Sequence, residues 1–181
     1  LAGNKPPLLG CYVAYVTSRD PHYSGTQRSW LEHGGIYTVA YVRGGGEYGE
    51  AWHQAGLQAT KPNTWKDYIA CAQYLIDHHY TRPRKLVGLA QSMGGIMIGR
   101  AIEERPDLFA VALIRVPAAD MLRSETTGTG PHNVHEVARS KTEAGFKTLD
   151  GKNPYPHCEA AGTKPAGAGT DGAKETRCET R

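Results

Sequence analysis

A chain of 181 residues, 39% hydrophobic and 22% charged, has material for one domain with a core of its own. The formal charge of +3 and the pI of about 8.7 come from Lys and Arg scattered among Asp and Glu, so no stripe for nucleic acid is expected. No apolar run reaches membrane-spanning length, and the opening LAGNKPPLLG lacks the layout of a signal peptide; the sequence names no membrane partner, compartment or oligomeric state.

Leu8-Leu9 and the following Cys11–Val16 read as a buried strand and its end. Trp30-Leu31 closes a short helix before Gly34-Gly35. Ile36–Val42 is the clearest strand, β-branched, aromatic and apolar enough to be covered on both faces. Residues 43–63 form a Gly-rich polar connection in which Arg43 is expected to pair with Glu47. Thr64 and Asp67 resemble a capping box. Trp65, Tyr68, Ile69, Ala72, Leu75, Ile76 and His79 then recur at helical spacing, ending at Pro83, with His78 and His79 at the negative end of the helix dipole. Lys85–Ala90 is a strand, Ile96–Glu104 a helix and Leu108–Val116 another strand. This alternation predicts a mostly parallel sheet with helices on both faces. Residues 117–139 read as loop and 140–150 as a short helix.

Composition divides the chain into a folded part, residues 1–155, and a tail, 156–181, that has no Val, Ile, Leu, Met, Phe, Trp or Tyr. Such a tail buries too little to offset its ordering entropy. The cysteines, Cys11, Cys71, Cys158 and Cys178, form no C-x-x-C pair, and Cys71 falls on the apolar side of its helix. No cluster has metal-ligand spacing, and no metal or cofactor is expected. Gly44-Gly45-Gly46 lacks the G-K-[ST] ending of a phosphate loop.

The chemistry gathers at Leu86–Gly95. An apolar strand runs into Ala90-Gln91-Ser92-Met93-Gly94 and then a helix, the A-x-S-x-G form of a nucleophile turn. Small residues on both sides let the backbones pass closely, so the turn lifts Ser92 above the sheet edge. Amides at the start of the helix, Met93 N–H first, face that position and suit a developing oxyanion. A serine that only caps a helix would read the same in the pentapeptide alone.

Several blocks resemble the prolyl oligopeptidase family of serine peptidases: Trp30–Gly35, Val42-Arg43-Gly44-Gly45-Gly46-Glu47-Tyr48-Gly49-Glu50, Trp52-His53, Ser92–Gly95, Arg105–Ala112, Lys141–Phe146 and Asn153-Pro154-Tyr155. The resemblance spans roughly residues 5–165, and the R-G-G-G-E-Y-G block is its most specific part. It implies an α/β-hydrolase domain, here incomplete at its C-terminal end, which in the family sits beside a β-propeller. It also implies cleavage of small peptides or esters through an acyl-enzyme on Ser92.

By the same resemblance Tyr12 matches the family's oxyanion tyrosine, although Cys11, Val13 and Val16 replace neighbouring glycines; a buried strand aromatic is the plainer reading of Tyr12. Tyr15 is implied in substrate binding. Thr170–Arg177 resembles the loop that carries the triad acid, with Glu175 at the acid position and Arg177 as the following substrate-binding arginine. Pro165–Gly169 stands where the family has an apolar strand. No histidine matches the family's general base: His132, His135 and His157 read as surface residues. The peptide-binding tryptophan also has no match, so a proline preference does not carry over. Three readings follow: a serine peptidase or esterase of this family, an inactive fragment serving as a binding scaffold, or a simple esterase using a replacement histidine such as His157.

Overall fold

The computed structural model describes residues 5–126, 128, 130–154 and 167–168. Among the described residues, five parallel strands stand in the order β2-β1-β3-β4-β5: β1 Pro7–Gly10, β2 Ile36–Val39, β3 Val87–Gln91, β4 Val111–Arg115 and β5 Gly167–Ala168. The helices are α1 Gly25–Glu32, α2 Glu50–Gln54, α3 Pro62–Asp77, α4 Gly94–Glu104, α5 Met121–Ser124, α6 Gly130–Val137 and α7 Glu143–Asp150. From β1 the chain steps one way to β2, then back across β1 to β3 and on to β4. Right-handed crossovers therefore place α1 on one face of the sheet and α3 and α4 on the other. This is the expected α/β-hydrolase arrangement.

The core lies between the sheet and α3 and α4. Helix α4 is apolar nearly all round, and Gly94–Gly99 are all buried. Ile96, Met97 and Ile98 lie out of contact with solvent, each burial stabilising the fold by roughly 1.5–3 kcal/mol. Helix α3 buries Trp65, Tyr68, Ala72 and Leu75, four of the residues its periodicity singled out. Its Trp65 indole donates to Glu104 Oε1 at 2.6 Å, and the Tyr68 ring stacks on Phe109 at 5.8 Å. Cys71 packs partly buried against this core.

Several expectations change. Cys11–Val16 is not strand: β1 ends at Gly10, and Tyr15 and Val16 take positive φ values of 57° and 53°, which no ladder admits. Strand β2 stops at Val39 and is half-exposed, because β1 is its only neighbour among the described strands. The polar connection holds α2 and a 3-10 turn over Gln58–Thr60. Helix α3 begins at Pro62, whose fixed φ and missing N–H suit a first turn, so Thr64 lies inside the helix and is no cap. Asp67 instead takes three hydrogen bonds from Arg43, from its N–H (3.0 Å), Nε (2.8 Å) and Nη2 (2.6 Å). Arg43 therefore pairs with Asp67, not with Glu47.

The stretch read as loop over 117–139 contains α5 and α6. Asp120 caps α5 through Arg123 N–H, and Asn153 Oδ1 accepts from Met121 N–H. The short helix after it is α7, capped by Thr142. Gly167 and Ala168 pair with Ala112 and Leu113. Strand pairing needs only backbone N–H and C=O groups, so it does not require the apolar run the tail lacks. The rest of that tail, with Cys158 and Cys178, lies outside the described residues.

Candidate active site

The strand order reverses at β1. In open α/β sheets the crevice beyond the carboxyl ends of the strands at such a reversal is where ligands bind. The loop after β1 and the turn after β3 both emerge there, on neighbouring strands.

Ser92 is at the tip of the β3–α4 turn with φ 51°. That left-handed backbone costs a non-glycine residue roughly 1–2 kcal/mol. The turn is pinned from outside: Ser92 N–H donates to Arg115 O at 2.9 Å, and Ser92 O accepts from Ala118 N–H at 2.8 Å and Gly95 N–H at 2.9 Å. The expected small residues have a visible reason. A β-carbon on Gly94 would stand 3.2 Å from Ala90 Cβ, and one on Gly95 only 2.8 Å from Pro117 Cβ. Met93 is buried, and its N–H finds no acceptor among the described residues.

Tyr12 leaves the end of β1 half-buried, and its hydroxyl lies beside the Ser92 side chain. Burial, and then the Glu136 carboxylate, raise its pKa, while Ser92 and Arg19 oppose the shift. The phenol thus stays protonated and able to donate. The Arg19 guanidinium lies over the ring at 5.8 Å. Tyr12, Gln91, Arg19 and His22 border an open cleft of about 490 Å³.

Tyr15 is 42% exposed, its hydroxyl on Asn133 Oδ1 and its N–H donating to Glu136 Oε1 at 2.8 Å. Burial of its phenol, then Glu136 and Tyr12, push its pKa up to about 12. Glu175, Arg177 and His157 lie outside the described residues. His132 and His135 are exposed, as expected, and no histidine among the described residues is hydrogen-bonded to Ser92. His78 and His79 end α3 in solvent. Trp52 and His53 serve as loop contacts, the indole donating to Val42 O and His53 Nδ1 lying 2.8 Å from Gly44 O.

Sequence reasoning missed a buried polar cluster, built on an ion pair, beneath the Tyr12 loop. Lys61, Glu136 and His53 are each at most 2% exposed. Lys61 Nζ donates to Val13 O at 2.8 Å and to Glu136 Oε2 at 3.2 Å, and His53 Nε2 lies 3.4 Å from Glu136 Oε1. Only their exclusion from solvent distinguishes them from polar surface residues, and no local pattern announces that.

A parallel sheet with a strained serine at the strand–helix turn beside its switch point defines an α/β-hydrolase. The family model described as "Prolyl oligopeptidase family" matches residues 21–165, and the chain belongs to that family. It is 37% identical over 163 residues to a prolyl endopeptidase of Elizabethkingia meningoseptica, covering 89% of this chain and 23% of the relative. Among solved structures, one from a mechanistic study of two prolyl endopeptidases superposes with a TM-score of 0.88 at 34% identity, over 98% of this chain and 26% of that one. Oligopeptidase B of Trypanosoma brucei, with covalently bound antipain, gives 0.87 at 29% identity, over 99% of this chain and 26% of its own. The chain thus spans about a quarter of these relatives' length.

Proposed function

We propose that this chain carries the nucleophile and oxyanion-binding part of a serine peptidase that cleaves peptide or ester bonds of small substrates through an acyl-enzyme on Ser92. The observation that carries the reading is Ser92 in a left-handed backbone at the turn's tip with the Tyr12 hydroxyl at its side chain. The covalently bound antipain of a relative supports the covalent part of the reading.

In this reading Ser92 Oγ attacks the substrate carbonyl carbon and gives up its proton to a histidine base. The carbonyl oxygen becomes an oxyanion, held by Met93 N–H and the Tyr12 hydroxyl. Collapse expels the amine or alcohol, which takes the proton from the base. Water then attacks the ester on Ser92, releasing the acid and restoring the serine. Glu175 is proposed to orient the base and Arg177 and Tyr15 to hold substrate; the pairing of β5 with β4 ahead of Glu175 supports the first assignment. The reading invokes no metal or cofactor.

The test is labelling of the purified chain with a fluorophosphonate probe, Ser92→Ala being the control. Label on the wild type that vanishes in the variant is the expected result. A folded wild-type chain that takes no label defeats the peptidase reading for this polypeptide and leaves a binding scaffold.

A further inference from the structure

The loop that carries Tyr12 has an unusual backbone problem. Tyr15 and Val16 both hold φ above 50°, and neither is glycine. Each non-glycine residue in that region is disfavoured, and a β-branched one more so. Something must hold the loop in this shape, because relaxation of residues 13–16 would carry Tyr12 with it.

The holding groups lie underneath. Lys61 Nζ donates to Val13 O at 2.8 Å, one residue beyond Tyr12. Glu136 Oε1 accepts Tyr15 N–H at 2.8 Å. The two side chains also bond to each other at 3.2 Å, and both are buried. A carbonyl and an amide two residues apart are thus gripped by opposite ends of one ion pair, from the start of α3 and from α6. Charge-assisted bonds of this kind are the strong ones. Tyr15 makes the point clearly: its side chain is only partly covered, while its N–H is tied to a carboxylate that is 1% exposed. His53 completes the setting, with Nε2 at 3.4 Å from Glu136 Oε1 and Nδ1 at Gly44 O.

We propose that the buried Lys61–Glu136 pair is a clamp whose role is to fix the Tyr12 loop in its strained, Ser92-facing shape, making Lys61 and Glu136 positioning residues of the site. The meaning of that site rests on the peptidase reading above; the clamp itself does not. A pair kept only for stability should be replaceable, since buried ion pairs are often exchanged for apolar residues without loss. A clamp cannot be so replaced, because an apolar pair offers nothing to Val13 O or Tyr15 N–H.

The deciding variant is therefore the double exchange Lys61→Met/Glu136→Leu, which removes both charges of the pair together and strands neither. Residue-resolved amide exchange of the 181-residue chain is compared with urea denaturation. The clamp predicts a double variant of near wild-type stability whose Tyr15 amide exchanges at least about tenfold faster, with α4 amides unchanged. Glu136→Gln should show the same local effect, because an amide has one acceptor oxygen where the carboxylate uses two. Unchanged Tyr15 protection in the double variant would overturn the clamp, as would a rise spread equally over α4. If Glu136→Gln does not fold, the double variant still decides. Fluorophosphonate labelling of Ser92 forms the second arm: its rate should fall in the double variant despite the regained stability. A wild type that takes no label ends the peptidase reading, while the Tyr15 amide still decides the clamp.

Discussion

Gly46 passes so close beneath Val16 that a β-carbon on it would stand 2.1 Å from the Val16 carbonyl oxygen. Gly46 N–H donates to Thr17 O, and the next residue, Glu47, accepts Arg19 N–H at 3.0 Å. The R-G-G-G-E-Y-G block is thus the outer brace of the Tyr12 loop, as the Lys61–Glu136 pair is the inner one. Gly46→Ala should push the loop outward and cost roughly 1–3 kcal/mol, the range for inserting atoms into packed space. Urea denaturation of the variant checks this; a loss within about 0.5 kcal/mol would mean the loop moves freely.

The backbone of Ser92 supports a second expectation. At φ 51° a glycine is unstrained while serine and alanine are not. Ser92→Gly should be more stable than Ser92→Ala by roughly 1 kcal/mol, despite removing a β-carbon. Equal stabilities in urea would mean that the turn carries no strain.

The two sides of the site differ in how far the sequence reveals them. The serine turn is legible because its demands are local: a strand, small residues at 90 and 94, then a helix. The brace is not, because Lys61 and Glu136 are 75 positions apart and each sits in a polar run. Arg43 illustrates the same limit. Glu47 is the nearer carboxylate in sequence, yet folding brings Asp67 to it from α3. Residues 11–16 read as strand because they are apolar, and only the positive φ values reveal a loop.

If Tyr12 donates to the oxyanion, Tyr12→Phe should slow fluorophosphonate labelling of Ser92 by about 10²-fold, the usual cost of one such donor. Stability should change by no more than about 1 kcal/mol, since a half-buried hydroxyl bond contributes little net. A labelling rate within about twofold of wild type would remove Tyr12 from the proposed oxyanion site and leave Met93 N–H as its donor.

Lys152 offers a test by pH. It is 2% exposed, and its Nζ donates to Val137 O at 2.9 Å. Burial, with Lys61 as a second cationic influence, lowers its pKa from 10.5 to about 8. Below pH 8 both folded and unfolded chains carry the proton, and the folded state bears the full penalty of the buried charge. Between pH 8 and 10.5 the folded chain has released the proton while the unfolded chain still holds it, so this residue's contribution must rise with pH. Tyr15 opposes it at the top of that range: its pKa of about 12 against an ordinary 10 makes its contribution fall as pH climbs through that interval. Comparison with Lys152→Met separates the two, because Tyr15 is common to both chains. The stability of Lys152→Met relative to wild type, measured in urea at pH 7.5, 9 and 10.5, should decline steadily across the series. A constant difference at all three values would mean that Lys152 keeps an ordinary lysine pKa in the folded chain.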